Sequence, residues 1–145
     1  MVLDELYQQI ILDHYKHPKN QGHIDHPDVS VEGRNPFCGD EVVLELKIEN
    51  DRVTDVAFHG SGCAISQASA SLMTEKIKGK SISEVQEMLR SFSQMVKGEV
   101  PEIDEETLDE LIAFQGVSEF PTRIKCALLA WNALRKGLAE KLSHQ

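Results

Sequence analysis

Three cysteines are the residues of this chain most able to do chemistry, and none is spaced as a C-x-x-C pair with another. They stand in Asn35-Pro36-Phe37-Cys38-Gly39-Asp40, in Gly60-Ser61-Gly62-Cys63-Ala64-Ile65-Ser66 and in Pro121-Thr122-Arg123-Ile124-Lys125-Cys126-Ala127. Each falls where a loop is expected to meet a regular element, which is how a chain brings distant thiolates to one point. Gly39 lets the backbone turn so that Cys38 and Asp40 can reach one ion. Cys63 precedes a helical pattern, where unpaired N–H groups and the helix dipole favour a thiolate. Cys126 has Arg123 and Lys125 as cationic neighbours in sequence. Together with Asp40 the three thiols make a Cys3Asp donor set, and thiolates suit zinc or an iron–sulfur cluster rather than magnesium or calcium. The spacing also admits a plainer reading. A lone cysteine is often a small buried hydrophobe, Cys126 is followed by apolar Ala127-Leu128-Leu129, and Asp40 could be a turn residue bonded to its own backbone.

The elements that would position these groups follow from periodicity. Leu3, Leu6, Tyr7, Ile10, Ile11 and His14 recur at helical spacing and predict an amphipathic helix that ends near His17-Pro18. Residues 19 to 30 read as an extended loop. From Glu41 to Glu49 the chain alternates, with Val42, Leu44, Leu46 and Ile48 on one face. Asn50-Asp51 is a turn, Val53 to Phe58 a second strand, and Val29 to Gly33 a candidate for a third. Ala64 to Lys78 reads as a helix with Ile65, Ala68, Leu72 and Met73 on one stripe, stopped by Gly79. Ser81 and Glu84 form a capping box for a helix that buries Val85, Met88, Leu89, Phe92 and Val96. Ile103 to Gln115 is expected to be a helix with an acidic first turn and apolar Leu108, Leu111 and Ile112, ended by Gly116. A last helix starts near Pro121 and carries Ile124, Leu128, Trp131, Leu134 and Leu138. The expected fold is α+β: a small antiparallel three-stranded sheet with helices packed on one face, in one domain over residues 1–145.

With 145 residues the chain can bury a single substantial core. Its formal net charge of −9 argues against non-specific nucleic-acid binding, which needs a basic surface. No apolar run is long enough to span a membrane, and the first residues, with Asp4, Glu5 and Asp13, do not resemble a signal peptide. A cytoplasmic location is therefore expected, where disulfides are disfavoured and three cysteines point to metal or thiol chemistry. The histidine pairs His14/His17 and His23/His26 lack a thiol or carboxylate partner by motif and read as solvated or core-satisfied. His59, four residues before Cys63, either approaches the cysteine site or fills a strand position. Ser66, Ser69 and Ser71 read as small packing residues, Ser66 with a supporting role beside Cys63. Trp131 reads as core.

The three cysteine segments, the run Phe58-x-Gly60-x-Gly62-Cys63-Ala64-Ile65-Ser66-x-Ala68-Ser69-x-Ser71-x-Met73, the stretch Phe120-Pro121-x-Arg123-x-Lys125-Cys126-Ala127-x-Leu129-x-Trp131 and the opening Asp13-His14-Tyr15-Lys16-x-Pro18-x-Asn20-x-Gly22 resemble the U-type iron–sulfur cluster assembly proteins (the IscU/NifU N-terminal-like superfamily) over nearly the whole chain. Two branches differ. The IscU-type scaffold has a histidine before its last cysteine, where this chain has Lys125, and a Leu-Pro-Pro-Val-Lys chaperone-recognition segment where this chain has Glu119-Phe120-Pro121-Thr122-Arg123. The SufU-type branch has an insertion before the last helix, which residues from about Gly98 to Ser118 fit, and it is this branch that the sequence resembles. The resemblance implies a zinc ion held by Cys38, Asp40, Cys63 and Cys126, and a role as sulfur acceptor for a PLP-dependent cysteine desulfurase of the SufS type. In the implied ligand swap a desulfurase histidine takes a place on the zinc and frees Cys38 to accept persulfide sulfur. Arg123 would be an auxiliary residue, or simply a surface residue near a helix start. The sulfur would pass to a downstream Suf scaffold or to apo iron–sulfur proteins, with no nucleic acid or membrane involved. The alternative is a scaffold on which a transient [2Fe–2S] cluster is assembled on the same ligands and transferred. A purely structural zinc module would instead unfold without its metal.

Overall fold

The computed structural model describes residues 2–36, 39–99 and 102–143. Its elements run α1 (Val2–Lys16), β1 (Val29–Asn35), β2 (Asp40–Glu49), β3 (Arg52–Ser61), α2 (Ala64–Ile77), α3 (Ile82–Lys97), α4 (Glu105–Leu108), a 3-10 helix (Asp109–Glu119) and α5 (Pro121–Ser143). The expected third strand is present and extends to Asn35. The sheet is antiparallel in the order β1-β2-β3, with Val31 opposite Leu44 and Leu44 opposite Phe58. Alternation places Val42, Leu44 and Leu46 on the buried face, and a register shift after Lys47 relaxes the pattern before Ile48, which is only partly buried. Gly60 is required where β3 meets β2: its φ is +152°, and a Cβ there would collide with the Glu41 carbonyl.

The helices occupy the inner face of the sheet, as expected. Helix α5 lies on β1 and β2, α2 lies on β3 and against α5, and α1 and α3 pack around that pair. Helix α2 departs from the expected single apolar stripe. Every residue from Ser66 to Thr74 is buried, including Ser66, Gln67, Ser69, Ser71 and Thr74. An all-round buried helix must satisfy its polar side chains internally. Ser69 Oγ donates to the Ala127 carbonyl at 2.7 Å and accepts the Trp131 Nε1–H at 3.1 Å. Trp131, with no exposed surface, stacks on Phe92 at a centroid distance of 4.5 Å. The serines are thus both small and bonded, which spacing alone did not reveal. At the other end of the chain, the expected apolar stripe of α1 is only partly used: His14 is buried, Ile10 and Ile11 are half-buried, and Leu6 is 54% exposed.

The expected α-helix over Ile103–Gln115 is the clearest correction. One α-turn, Glu105–Leu108, gives way at Asp109, whose φ is +51°, to a 3-10 helix that passes Gly116 and runs to Glu119. Leu108, Leu111, Phe114 and Val117 are all buried. Their spacing is three, the period at which side chains eclipse in a 3-10 helix, so the winding that buries the whole row wins over the α-period. Lys76 of α2 fixes the changeover by donating to Asp109 and Glu110 at 2.9 Å each, and the ammonium holds the Asp109 carboxyl below the usual carboxylate range. This segment touches α1, α2, α3 and α5.

His14 makes stability sensitive to acid. Its Nδ1 lies 2.8 Å from Ser71 Oγ, which also accepts the Lys19 N–H at 2.7 Å. Burial pushes its pKa below the ordinary 6.5, against the opposing pull of Glu75, Glu110 and Asp13; Lys19 adds to the lowering. The unfolded chain therefore binds the proton more readily. This contribution to stability is complete above about pH 6.5 and declines as pH falls through the folded-state value. The melting temperature is expected to drop between about pH 7.5 and about pH 5.5, and His14→Gln should remove part of that slope. An unchanged slope in the variant would assign it to other groups.

Candidate metal centre

Asp40, Cys63 and Cys126 come together from three different elements. Asp40 is the first residue of β2, opposite Asn35, and is 1% exposed. Cys63 is the N-cap of α2, in extended conformation at φ −72° and ψ 168°. Cys126 lies in the second turn of α5 and is 1% exposed. One ligand atom from each lies within 4.8 Å of the other two. Neither Cys63 nor Cys126 is in a disulfide. The β2 start, the loop after β3 and the α5 start therefore converge at one end of the sheet.

Local bonds explain the placement. Asp40 Oδ1 accepts the Cys63 N–H at 2.9 Å, and Oδ2 lies 3.8 Å from Cys63 Sγ. The carboxylate thus holds the backbone of one cysteine and still offers its second oxygen toward the sulfur. Among the described residues the side-chain partner of Asp40 is Cys63, on a different element. Ser66 N–H points at Cys63 Sγ at 3.5 Å, and Ser66 Oγ donates to the Cys63 carbonyl at 3.1 Å. Ser66 therefore supports Cys63, as expected from its place in sequence. Cys126 Sγ–H is directed at the Thr122 carbonyl at 3.6 Å. A buried carboxylate and two thiols that share a few ångströms fit a zinc-type ion better than a hard cation.

Gly62 makes the cluster possible. A Cβ built there would stand 2.5 Å from Asp40 Oδ1 and 2.6 Å from Ser66 Oγ. Both atoms are buried and bonded, so neither can retreat cheaply. Gly62→Ala is expected to displace the Asp40 carboxylate and weaken metal retention by about tenfold or more, read as faster zinc transfer to a colorimetric chelator. Retention equal to the parent chain would show that Asp40 has freedom to move.

Cys38 lies outside the described residues. The chain on either side of it is placed: Asn35 and Asp40 are paired at the end of the β1–β2 ladder, and Gly39 N–H donates to the Asn35 carbonyl at 2.9 Å. Arg123 is exposed and lines an open cleft of about 790 Å³ with Tyr7, Ile11, Ala64, Ile65 and Phe120. It borders the residues that follow Cys63 and is not one of the three clustered groups. Among the described residues His59 joins neither Cys63 nor Cys126. It meets His23 and Glu45, a grouping invisible to motif reading because those residues come from a loop and two strands. The His14/His17 and His23/His26 spacings do not form metal clusters among the described residues.

Among the described residues no helix is long and apolar enough to cross a membrane. Comparison with known proteins places the whole arrangement. The model of the NifU-like N terminal domain family matches residues 6–127. The chain is 48% identical over 139 residues to the zinc-dependent sulfurtransferase SufU of Bacillus subtilis, covering 96% of this chain and 93% of that protein. It is 41% identical over 143 residues to the iron–sulfur cluster assembly scaffold protein IscU of Streptococcus pyogenes, covering 99% and 89%. A crystal structure of a putative iron–sulfur cluster assembly scaffold protein for the SUF system from Fervidobacterium islandicum superposes with a TM-score of 0.86 at 41% identity, over 92% of this chain and 97% of that one. With the three-stranded antiparallel sheet, the helices on its inner face and the buried Asp40–Cys63–Cys126 cluster, these matches establish that the chain belongs to the NifU-like N-terminal domain family.

Proposed function

We propose that this chain, as one domain over residues 1–145, accepts persulfide sulfur from a SufS-type PLP-dependent cysteine desulfurase for iron–sulfur cluster assembly, and that it holds zinc through Cys38, Asp40, Cys63 and Cys126. The convergence of Asp40, Cys63 and Cys126 within 4.8 Å is the observation that carries the reading. The 48% identity to a protein named a zinc-dependent sulfurtransferase supports it, as does Lys125 standing where IscU-type scaffolds have a histidine. Bound zinc would keep coordinated thiols deprotonated at neutral pH and shield them from oxidation.

The residues of the chain divide the work. Asp40 and the first turn of α2 hold Cys63 in place, and the α5 helix holds Cys126 buried, so these two are anchors. Cys38, next to Gly39 with its φ of +71°, is the acceptor. Its thiolate attacks the outer sulfur of the desulfurase persulfide. A new S–S bond forms on Cys38, the desulfurase S–S bond breaks, and the desulfurase cysteine leaves as a thiolate. Arg123, on the rim of the adjoining cleft, offers a cation to the incoming sulfur. The recipient is a downstream Suf scaffold or an apo iron–sulfur protein.

Anaerobic purification followed by metal and acid-labile sulfide analysis tests the metal. One zinc per chain without sulfide is the expected result. Iron and sulfide in roughly equal amounts would favour the scaffold reading, in which a [2Fe–2S] cluster occupies the same ligands. Sulfur acceptance from a desulfurase, followed with labelled cysteine, is expected to vanish in Cys38→Ala. Full-rate acceptance by that variant would remove Cys38 from its role.

A further inference from the structure

The loop between α1 and β1 crosses the outer face of the sheet, the face away from the helices. Its start is held on β3: Gly22 N–H donates to the Phe58 carbonyl at 2.8 Å, and Phe58 N–H donates to Asn20 at 3.0 Å. Its end is held on β2: Asp28 N–H donates to the Leu46 carbonyl at 2.8 Å, and Asp28 Oδ2 accepts the Ile48 N–H at 2.7 Å. The span between lies over Glu45 and His59. In the β2–β3 register Glu45 faces Ala57 and His59 faces Val43, so Glu45 and His59 are diagonal neighbours on one face.

His23 completes a cluster there. Its Nδ1 is 3.5 Å from Glu45 Oε1, and its ring lies 4.2 Å from the His59 ring at 41°. One ligand atom from each of the three residues lies within 4.8 Å of the others. Glu45 is 9% exposed, unusual for a carboxylate on the outer face of a sheet, and Ile24 N–H donates to its Oε1 at 3.2 Å. His59 Nδ1 stands 3.4 Å from the Gly22 carbonyl. A backbone carbonyl at one ring nitrogen orients the imidazole and leaves Nε2 for an ion.

We infer that His23, Glu45 and His59 form a second metal site that takes a borderline first-row divalent cation such as Fe(II) or Zn(II). Two imidazoles and a carboxylate suit such ions, whereas magnesium and calcium call for an all-oxygen set. Donors bound at about 2.0–2.1 Å can stand no more than roughly 4.2 Å apart, so binding requires a small closure. His23, whose side chain is 73% exposed, is free to make it by rotation. The site shares no residue with the cysteine cluster, and alternation along β2 puts Glu45 on the sheet face opposite Asp40. It does not depend on the reading of the cysteines as a sulfur-transfer centre.

Paramagnetic Co(II), added to isotope-labelled protein that carries one equivalent of zinc at the cysteine cluster and no more, and followed by amide NMR, tests the site. The expected result is early broadening of signals from Gly22–Ile24, Glu45 and His59, relieved by excess Zn(II) but not by Mg(II). His23→Ala alters only an exposed loop residue, and it should abolish the broadening while the spectrum elsewhere is retained; Glu45→Gln should do the same. Co(II) entering the cysteine cluster would instead mark the neighbourhood of Asp40, Cys63 and Cys126. Absence of broadening on the outer face, or broadening that survives His23→Ala, would overturn the inference.

Discussion

Cys63→Ala is expected to release the tightly bound metal while leaving the fold standing. Cys63 is the N-cap of α2, its backbone is held by Asp40, and its sulfur faces both the Asp40 carboxylate and the Ser66 N–H. Sharing the roughly 10–16 kcal/mol of a structural zinc site among four ligands assigns about 2.5–4 kcal/mol to one thiolate. Affinity should therefore fall about 100-fold or more. The loss to the apo fold is much smaller. The Ser66 N–H bond to sulfur is long at 3.5 Å, and loss of even a good N-cap costs only about 0.5–2 kcal/mol. The two effects separate in a melting experiment. With metal at about 100 times its dissociation constant, the parent chain gains about 2.7 kcal/mol, or about 5–10 °C, over chelator-treated protein. Cys63→Ala should lose that increment and retain most of the chelator-treated melting temperature. A variant that keeps the increment would mean that Cys63 is not a ligand.

Trp131→Ala should produce the largest loss of stability in the chain. The ring is fully buried, stacks on Phe92, and donates through Nε1 to Ser69. Phe92 also meets Phe114 edge to face at 5.8 Å, so the indole is one end of an aromatic row, centred on Phe92, that ties α3, α5 and the 3-10 helix together. Truncation of such a ring costs about 3–5 kcal/mol, which lowers the melting temperature of a chain this size by about 6–20 °C. Trp131→Phe separates packing from bonding. It keeps an aromatic face against Phe92 but removes the indole N–H and the volume of the second ring, while Ser69 still donates to Ala127. Its cost should be about 1–3 kcal/mol, below that of Ala. If Phe costs as much as Ala, the retained aromatic face contributes nothing there.

These predictions rest on features of unequal visibility in sequence. Strand alternation from Val42 to Leu46, the Ser81–Glu84 capping box and the breaks at Gly79 and Gly98 are local signals, and each appears where periodicity and capping chemistry place it. Over Asp109 to Glu119, Leu108, Leu111 and Ile112 fit the start of an α pattern, whereas Leu108, Leu111, Phe114 and Val117 form a 3-10 row. The choice was made by what they pack against and by Lys76 pinning the changeover. The all-round burial of α2 was equally hidden, since its serines are polar in sequence and become core only through partners such as Ala127 and Trp131.

At the metal centre, residue types and flanking glycines determined which groups were candidates: thiolate chemistry needs cysteines, and Cys63 beside Gly62 at a helix start is a local arrangement. Tertiary structure decided that Asp40, Cys63 and Cys126 meet, because strand pairing and the packing of α5 on β1 and β2 bring residues far apart in sequence within a few ångströms. It also decided what Asp40 bonds to, and it moved His59 to His23 and Glu45 on the outer sheet face. Sequence spacing encodes local turns and faces. Distances between groups on different elements are set only when the burial of apolar faces fixes how those elements pack.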